Sequence, residues 1–464
     1  MVQLYALPED RVSPEDKDSF AYTALAERWP LIIDSIAVTV QAHSDVITAH
    51  DATDPGEAED IAREGREIIE KLAQAKLELV QDWELSPLED DGGGNIACYN
   101  EGLKQLSAKE KRWSTSNWLF AECYLRIRTY FGLTQHWAQY DPFIDSKTEA
   151  FRSSWNAVLH LANALHTMID LPDLQKDYEE PGSALNIACL EMLQAALWGN
   201  ATDLALLIGV PNEDLDKFQS VGAAAQAEQA KMILRDDLPS AWEHIQGLKG
   251  SRVDIVLDNA GFELYTDLIL ADFLVTCTPF VSQVVFQCFV SDVVPFDFAW
   301  TINILSDPTF FPSLTPAQVS SLTRLSERWQ SHIRSGTFKL SVPDTTPLGA
   351  DTPAGGFWTT QYAFQDMPAV DPGLTANLAE SGLVIFKGDL NYRKLIGDAK
   401  WPTTTPFRDA LGPLAGKFPL LSLRTNKADT ICGLDQGVEA DMDVMAPDWR
   451  ISGKYAVVSF CPKD

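Results

Sequence analysis

From about residue 250 the chain turns into short, continuous apolar runs spaced by helical stretches, and few folds accept that alternation. Val253–Leu257 is a β-branched run that ends abruptly in Asp258-Asn259-Ala260-Gly261, and a helical stretch over Phe262–Val275 follows. Val281–Phe286, Leu383–Phe386, Leu420–Leu423 and Tyr455–Phe460 are further runs of the same kind. Short, largely apolar runs separated by helices belong to strands covered on both faces, so the expectation is an α/β fold with a largely parallel sheet.

Before residue 250 helical spacing dominates. Glu57–Trp83 places Ile61, Ile68, Ile69, Leu72, Leu77 and Val80 at roughly helical intervals, and Asn117–Tyr130, Ser154–Ile169 and Ala184–Leu197 look alike. The expected division is a helical N-terminal domain over 1–248 and an α/β domain over 249–464. Within the latter, 340–373 is rich in Pro, Thr and Gly but carries Phe357-Trp358, so it is expected to be an ordered surface loop. The Asp90–Asn95 stretch reads as a loop, since no phosphate-binding strand-to-helix turn follows it.

Charge narrows the partners. With 36 basic and 66 acidic residues the formal net charge is −30, which repels a nucleic-acid backbone over most of the surface and otherwise serves solubility. An anionic substrate would then need the few cations gathered locally. No run approaches the ~20 apolar residues of a membrane span, and Met1–Asp18 lacks the features of a signal peptide. The seven cysteines form no CxxC pair, which fits reduced thiols, and the seven histidines show no ligand spacing. A cytoplasmic location follows as an expectation, with a nuclear fraction allowed; any metal would be held by oxygen. Nothing in the sequence speaks to oligomeric state.

Ligands in open α/β sheets collect beyond the carboxyl ends of strands. Asp258 and Asn259 offer adjacent oxygens there, suited to a hard divalent cation; alone, the pair would be read as an Asx turn capping the next helix. Asp292, in Phe289-Val290-Ser291-Asp292, follows the next apolar run, and if the two strands are neighbours both carboxylates enter one crevice. Two carboxylates so placed repel unless a cation lies between them. Lys387, Arg393, Lys394, Arg424 and Lys427 fall beyond two further strand ends. Each alone would be a solvated cation or a local ion pair; as a set in so acidic a chain they point to phosphate recognition. The chemistry that follows is phosphoryl transfer to a metal-activated water, with Lys427 and Arg424 neutralising charge on the phosphoryl oxygens; Asp258 as nucleophile is disfavoured because no second Asp stands two residues on.

At these residues the chain resembles the damage-control phosphatase family (domain of unknown function 89), and within it the third subfamily. The motifs are Leu257-Asp258-Asn259-Ala260-Gly261-Phe262-Glu263, Phe289-Val290-Ser291-Asp292-Val293, the run Phe386–Leu395 and the run Leu423–Asp429. Glu27-Arg28-Trp29-Pro30, Trp118–Tyr124, Trp401–Phe407 and Ser452–Tyr455 extend the likeness over nearly the whole chain. The resemblance implies a Rossmann-like α/β/α core behind a helical N-terminal portion. It implies hydrolysis of small phosphoesters such as fructose 1-phosphate with Mn²⁺, or else Co²⁺, Ni²⁺ or Mg²⁺. Residue by residue, Asp258, Asn259 and Asp292 match the metal ligands, and Asp389, Leu390, Asn391, Tyr392, Arg393 and Lys427 match substrate-binding positions, with Arg28 as a further pocket residue.

Two other functions follow from the same residues. Some family members are described as S-adenosylmethionine-dependent carboxyl methyltransferases acting on acidic protein residues, for which Glu263 and Asp292 match cofactor contacts; no Gly-rich loop follows the first strand here. Members also carry a longer stretch before the Phe-Val-Ser-Asp motif, whereas Val284-Val285-Phe286-Gln287 here runs straight into Cys288-Phe289. A site disabled by that shortening would leave a non-catalytic binding protein.

Overall fold

The computed structural model describes residues 3–50, 55–91, 95–125, 127–175, 178–180, 182–200, 229–288, 295–350 and 355–464. The chain forms two compact units. One comprises Asp10–Asp145 and Thr346–Tyr362; the other comprises Met1–Glu9, Ser146–Thr345 and Ala363–Asp464.

The first unit is helical. Its main helices, Trp29–His50 and Pro55–Val80, pack together. The second buries Ile68, Leu72, Ala75 and Leu79, which recur at i, i+4, i+7 and i+11 and form one stripe. Leu77 and Val80, expected on that stripe, lie off it and are exposed. Asn117 starts the short helix Trp118–Tyr124 by accepting the Phe120 N–H at 2.9 Å on its side-chain oxygen. The stretch expected as one helix from Asn117 to Tyr130 is two, Trp118–Tyr124 and Ile127–Gly132. Phe357 and Trp358 are buried.

The second unit is built on a seven-stranded sheet in the order β1-β7-β6-β5-β2-β3-β4. The strands are β1 Ile233–Asp236, β2 Ser251–Val256, β3 Val281–Gln287, β4 Phe338–Leu340, β5 Leu383–Lys387, β6 Leu420–Thr425 and β7 Ala456–Cys461. From β6 to β4 all neighbours are parallel; β7 runs antiparallel to β6, and β1 is parallel to β7. The largely parallel sheet with flanking helices is the expected α/β class. Helix Phe262–Cys277 is buried almost all round, against β3 and the helices Trp155–Ile169 and Ala184–Gly199, which explains its lack of a polar face.

Two edge strands, β1 and β4, have no counterpart among the apolar runs. Both are short, and only one of their seven residues is buried, so continuous hydrophobicity does not mark them. Among the described residues no helix is long and apolar enough to cross a membrane. Cys189, Cys277, Cys288, Cys432 and Cys461 are buried free thiols.

Candidate functional site

The strand order reverses between β2 and β5. From β2 the chain proceeds outward through β3 to β4; from β5 it proceeds the other way through β6. Crevices form at such switch points beyond the carboxyl ends of the strands. Val256 pairs with Phe386, so Asp258 and Gly388, each two residues further on, emerge at one level. Gly388 has φ +85°, and a Cβ on it would collide with the Asp258 carboxylate. Only glycine meets both demands.

Asp258 and Asn259 are half-buried at this point. Asn259 Nδ2 donates to Asp258 Oδ2 at 3.2 Å and to Glu263 Oε2 at 2.9 Å. Glu263, in the first turn of the helix capped by Gly261, is buried and faces the same crevice. Beneath it the fully buried Lys387 ammonium lies 3.3 Å from Glu263 Oε1 and 2.8 Å from Asp267 Oδ1, and donates to the Ala196 carbonyl at 2.7 Å. Burial works against the Lys387 charge, but Asp267 and Glu263 outweigh it and hold the ammonium above its ordinary range. Burial raises the Asp267 carboxyl to about 7; Lys387 pulls it down and Glu263 adds to the rise.

The strand ends beyond β5 and β6 supply the other half. Asp389 Oδ1 accepts Arg424 Nε at 2.8 Å and the Lys427 N–H at 3.2 Å. Arg424 is buried, donates to the carbonyls of Thr430 and Ala428 at 2.8 and 3.0 Å, and lies 4.3 Å from the Tyr392 ring centroid. It thereby ties the 425–430 loop to Asp389. Arg393 is buried against Asp398, Nη2 to Oδ2 at 2.9 Å. Asn391 Nδ2 binds the carbonyls of Leu257 at 2.9 Å and Lys387 at 2.7 Å, tying the β2 end to the β5 end. Lys394 is buried with its ammonium 5.0 Å from the Phe364 ring centroid, and Leu390 is half-buried. The Lys427 ammonium donates to the Asn200 carbonyl.

The structure thus brings Asp258, Asn259 and Glu263 together at the end of β2, with Lys387 beneath. It joins Asp389 and Tyr392, just beyond β5, to Arg424 near the end of β6 and Lys427 beyond it. Arg28 belongs to the other unit, where its guanidinium carbon lies 5.0 Å from the Phe20 ring centroid. Asp292 lies outside the described residues. The strand adjacency its role requires is present, since β2 and β3 pair in parallel with Val256 opposite Gln287. Asn200, absent from the sequence reading, donates through Nδ2 to Asp258 Oδ2 at 3.1 Å and Glu263 Oε2 at 3.0 Å. Its only sequence signal is an amide directly after the apolar helix Ala184–Gly199.

These donors fit a hard divalent cation. Among the described residues no three His, Cys, Asp or Glu side chains converge. Two carboxylates nevertheless stand together, each accepting from the same two side-chain amides, and carboxylate and amide groups suit a hard cation better than a soft metal.

The sequence profile of the Damage-control phosphatase ARMT1-like domain matches residues 24–442 of this chain. The chain belongs to that family. Family relatives named Damage-control phosphatase ARMT1 are 32% identical in Danio rerio, with 98% of this chain and 97% of the relative covered, and 33% identical in Xenopus tropicalis, with 97% and 98% covered. The human protein of that name is 30% identical, with 97% and 98% covered. A crystal structure of a DUF89 family protein from Pyrococcus horikoshii is similar with a TM-score of 0.34 and 13% identity, covering 79% of this chain and 89% of that one.

Proposed function

We propose that this protein is a metal-dependent phosphatase acting on small phosphorylated metabolites, with sugar phosphates of the fructose 1-phosphate kind as its substrate class. The observation that carries this reading is the switch-point crevice, where the oxygen donors Asp258 and Asn259 and the cation Lys427 stand beyond three adjacent strands, β2, β5 and β6. Family membership and the relatives' names support it.

In this reading Asp258 and Asn259, with Asp292 as third ligand, hold a divalent cation, Mn²⁺ foremost, with Co²⁺, Ni²⁺ or Mg²⁺ as alternatives. When bound, that cation supplies Lewis-acid polarisation of the phosphoryl group. The Lys427 ammonium neutralises charge on a phosphoryl oxygen as the ester bond breaks. Asp389 fixes the Lys427 main chain and the Arg424 guanidinium, so the loop enters the reaction preorganised. Tyr392 stacks beneath Arg424, Asn391 holds the 388–398 segment to the ends of β2 and β5, and Arg393 closes that segment on itself through Asp398.

The test is phosphate release from fructose 1-phosphate with and without Mn²⁺, for the wild type and Asp258→Ala. Metal-dependent release that falls to background in the variant is the expected result. Labelled methyl transfer from S-adenosylmethionine to protein, in place of phosphate release, would sink the reading.

A further inference from the structure

We propose that Asn200 is a positioning residue that sets the spacing between the carboxylate and cationic halves of this site; the proposal rests on the phosphatase reading above. Asn200 is fully buried at the C-terminal end of the helix Ala184–Gly199. Both carboxylates of the crevice accept from its Nδ2, Asp258 Oδ2 at 3.1 Å and Glu263 Oε2 at 3.0 Å. The Lys427 ammonium donates to its main-chain carbonyl. One residue therefore touches the end of β2, the helix that follows it and the loop beyond β6.

The amide has a defined orientation. Thr425 Oγ1, at the last position of β6, donates to Asn200 Oδ1 at 2.7 Å. A side-chain amide is nearly symmetric in shape but has donors at one end and acceptors at the other. A donor already aimed at Oδ1 turns the N–H₂ group towards the two carboxylates. All the side-chain hydrogen bonds of Asn200 go to groups of this crevice or to the residue that orients it.

The helix end contributes as well. The last carbonyls of a helix lack intrahelical partners and carry partial negative charge. Here the Ala196 carbonyl takes Lys387 at 2.7 Å and the Asn200 carbonyl takes Lys427, so both lysines are held from the same helix terminus. Gly199 sets how closely that terminus approaches, because a Cβ there would collide with the Thr266 side chain. A shift of the terminus would move the carboxylates and Lys427 together.

The experiment compares Asn200→Ala, Thr425→Val and Thr425→Ser with the wild type. Mn²⁺ affinity is measured by calorimetry without substrate, and kcat and KM with fructose 1-phosphate. Removing a partner that orients a metal ligand typically costs 10–100-fold in metal affinity or activity, so Asn200→Ala is expected to lose roughly that in both Mn²⁺ affinity and kcat. Thr425→Val should move both in the same direction by about 10-fold, and Thr425→Ser, which keeps the hydroxyl, should stay within about 2-fold. Asn200→Ala within about 2-fold of the wild type in both measurements overturns the proposal. So do equal losses in the two Thr425 variants, which would mark packing rather than amide orientation. Should Asn200→Ala fail to fold, the Thr425 pair decides. A wild type that binds Mn²⁺ without releasing phosphate sinks the phosphatase reading while calorimetry still judges Asn200, and a wild type that binds no Mn²⁺ overturns both.

Discussion

Asp267 and Asp272 lie on one helix, Phe262–Cys277, and are equally buried, yet their protons are held in opposite ways. Asp272 is saturated. Its Oδ1 accepts Thr276 Oγ1 at 2.7 Å and faces His332 Nε2 at 3.3 Å, and its Oδ2 accepts Arg328 Nε at 2.7 Å and Trp329 Nε1 at 2.8 Å. Burial pushes its pKa up, but the bond to His332, the Arg328 charge and the Thr276 hydroxyl outweigh burial and hold it below the ordinary range. Asp267 has Lys387 at 2.8 Å, which it shares with Glu263. One cation between two carboxylates leaves an excess of negative charge, and burial raises Asp267 to about 7. The first cluster staples two helices. The second, frustrated in charge, lies directly beneath the crevice. Buried groups with perturbed protonation gather at functional sites, and of the two clusters the one built on Asp267 adjoins the crevice.

The strongest way to break the comparison is Lys387→Met. It takes the cation from Glu263, which keeps its two amide donors, and from Asp267, and removing one partner of a buried ion pair costs about 3–5 kcal/mol. Urea denaturation should show that loss, and phosphate release should fall with it as the support under Glu263 goes. A stability change below about 1 kcal/mol would mean that the cluster is hydrated and the contrast unreal.

Arg328→Met tests the other cluster and should do less. Asp272 keeps Thr276, His332 and Trp329, so the loss is that of a hydrogen bond to a charged group, about 1.5–3 kcal/mol. Because none of these residues faces the crevice, kcat should remain near wild type where the variant is folded. A large drop in kcat with modest destabilisation would erase the division between a structural and a functional cluster.

How much of this the sequence discloses differs by element. The parallel strands β2, β3, β5 and β6 announce themselves because most of their positions are buried, which leaves short, largely apolar runs broken by a few polar residues such as Asp254, Ser282, Gln283 and Ser422. The edges β1 and β4 are covered on fewer sides and stay silent. Asp258, Asn259 and Lys427 are legible as polar residues at strand ends. Arg424 and Lys387 are legible only as cations, since the carboxylates that claim them are set by the fold, Glu263 lying 124 residues from Lys387; Arg393 is claimed locally, by Asp398 five residues on. Asn200 is invisible for the same reason. Its partners, Asp258, Glu263, Thr425 and Lys427, meet only when the sheet order places β2 and β6 on either side of β5.

The finest test reads the two aspartates by pH. For Asp267 the folded pKa, about 7, lies above the ordinary 3.8, so the folded state binds the extra proton. Its contribution to stability is fully present below about 3.8 and is lost as pH rises through about 7. For Asp272 the folded pKa lies below 3.8, so its contribution is present above that value and is lost as pH falls through the folded pKa. Asp267→Asn removes the first dependence, and its melting temperature should gain on the wild type as pH rises from about 4 to 8. Asp272→Asn removes the second, and its deficit against the wild type should shrink only on acidification below about 4. Parallel curves for the two variants would show that both carboxylates stay ionised throughout, and the charge imbalance assigned to Lys387, Glu263 and Asp267 would have to be relieved by a cation in the crevice above them.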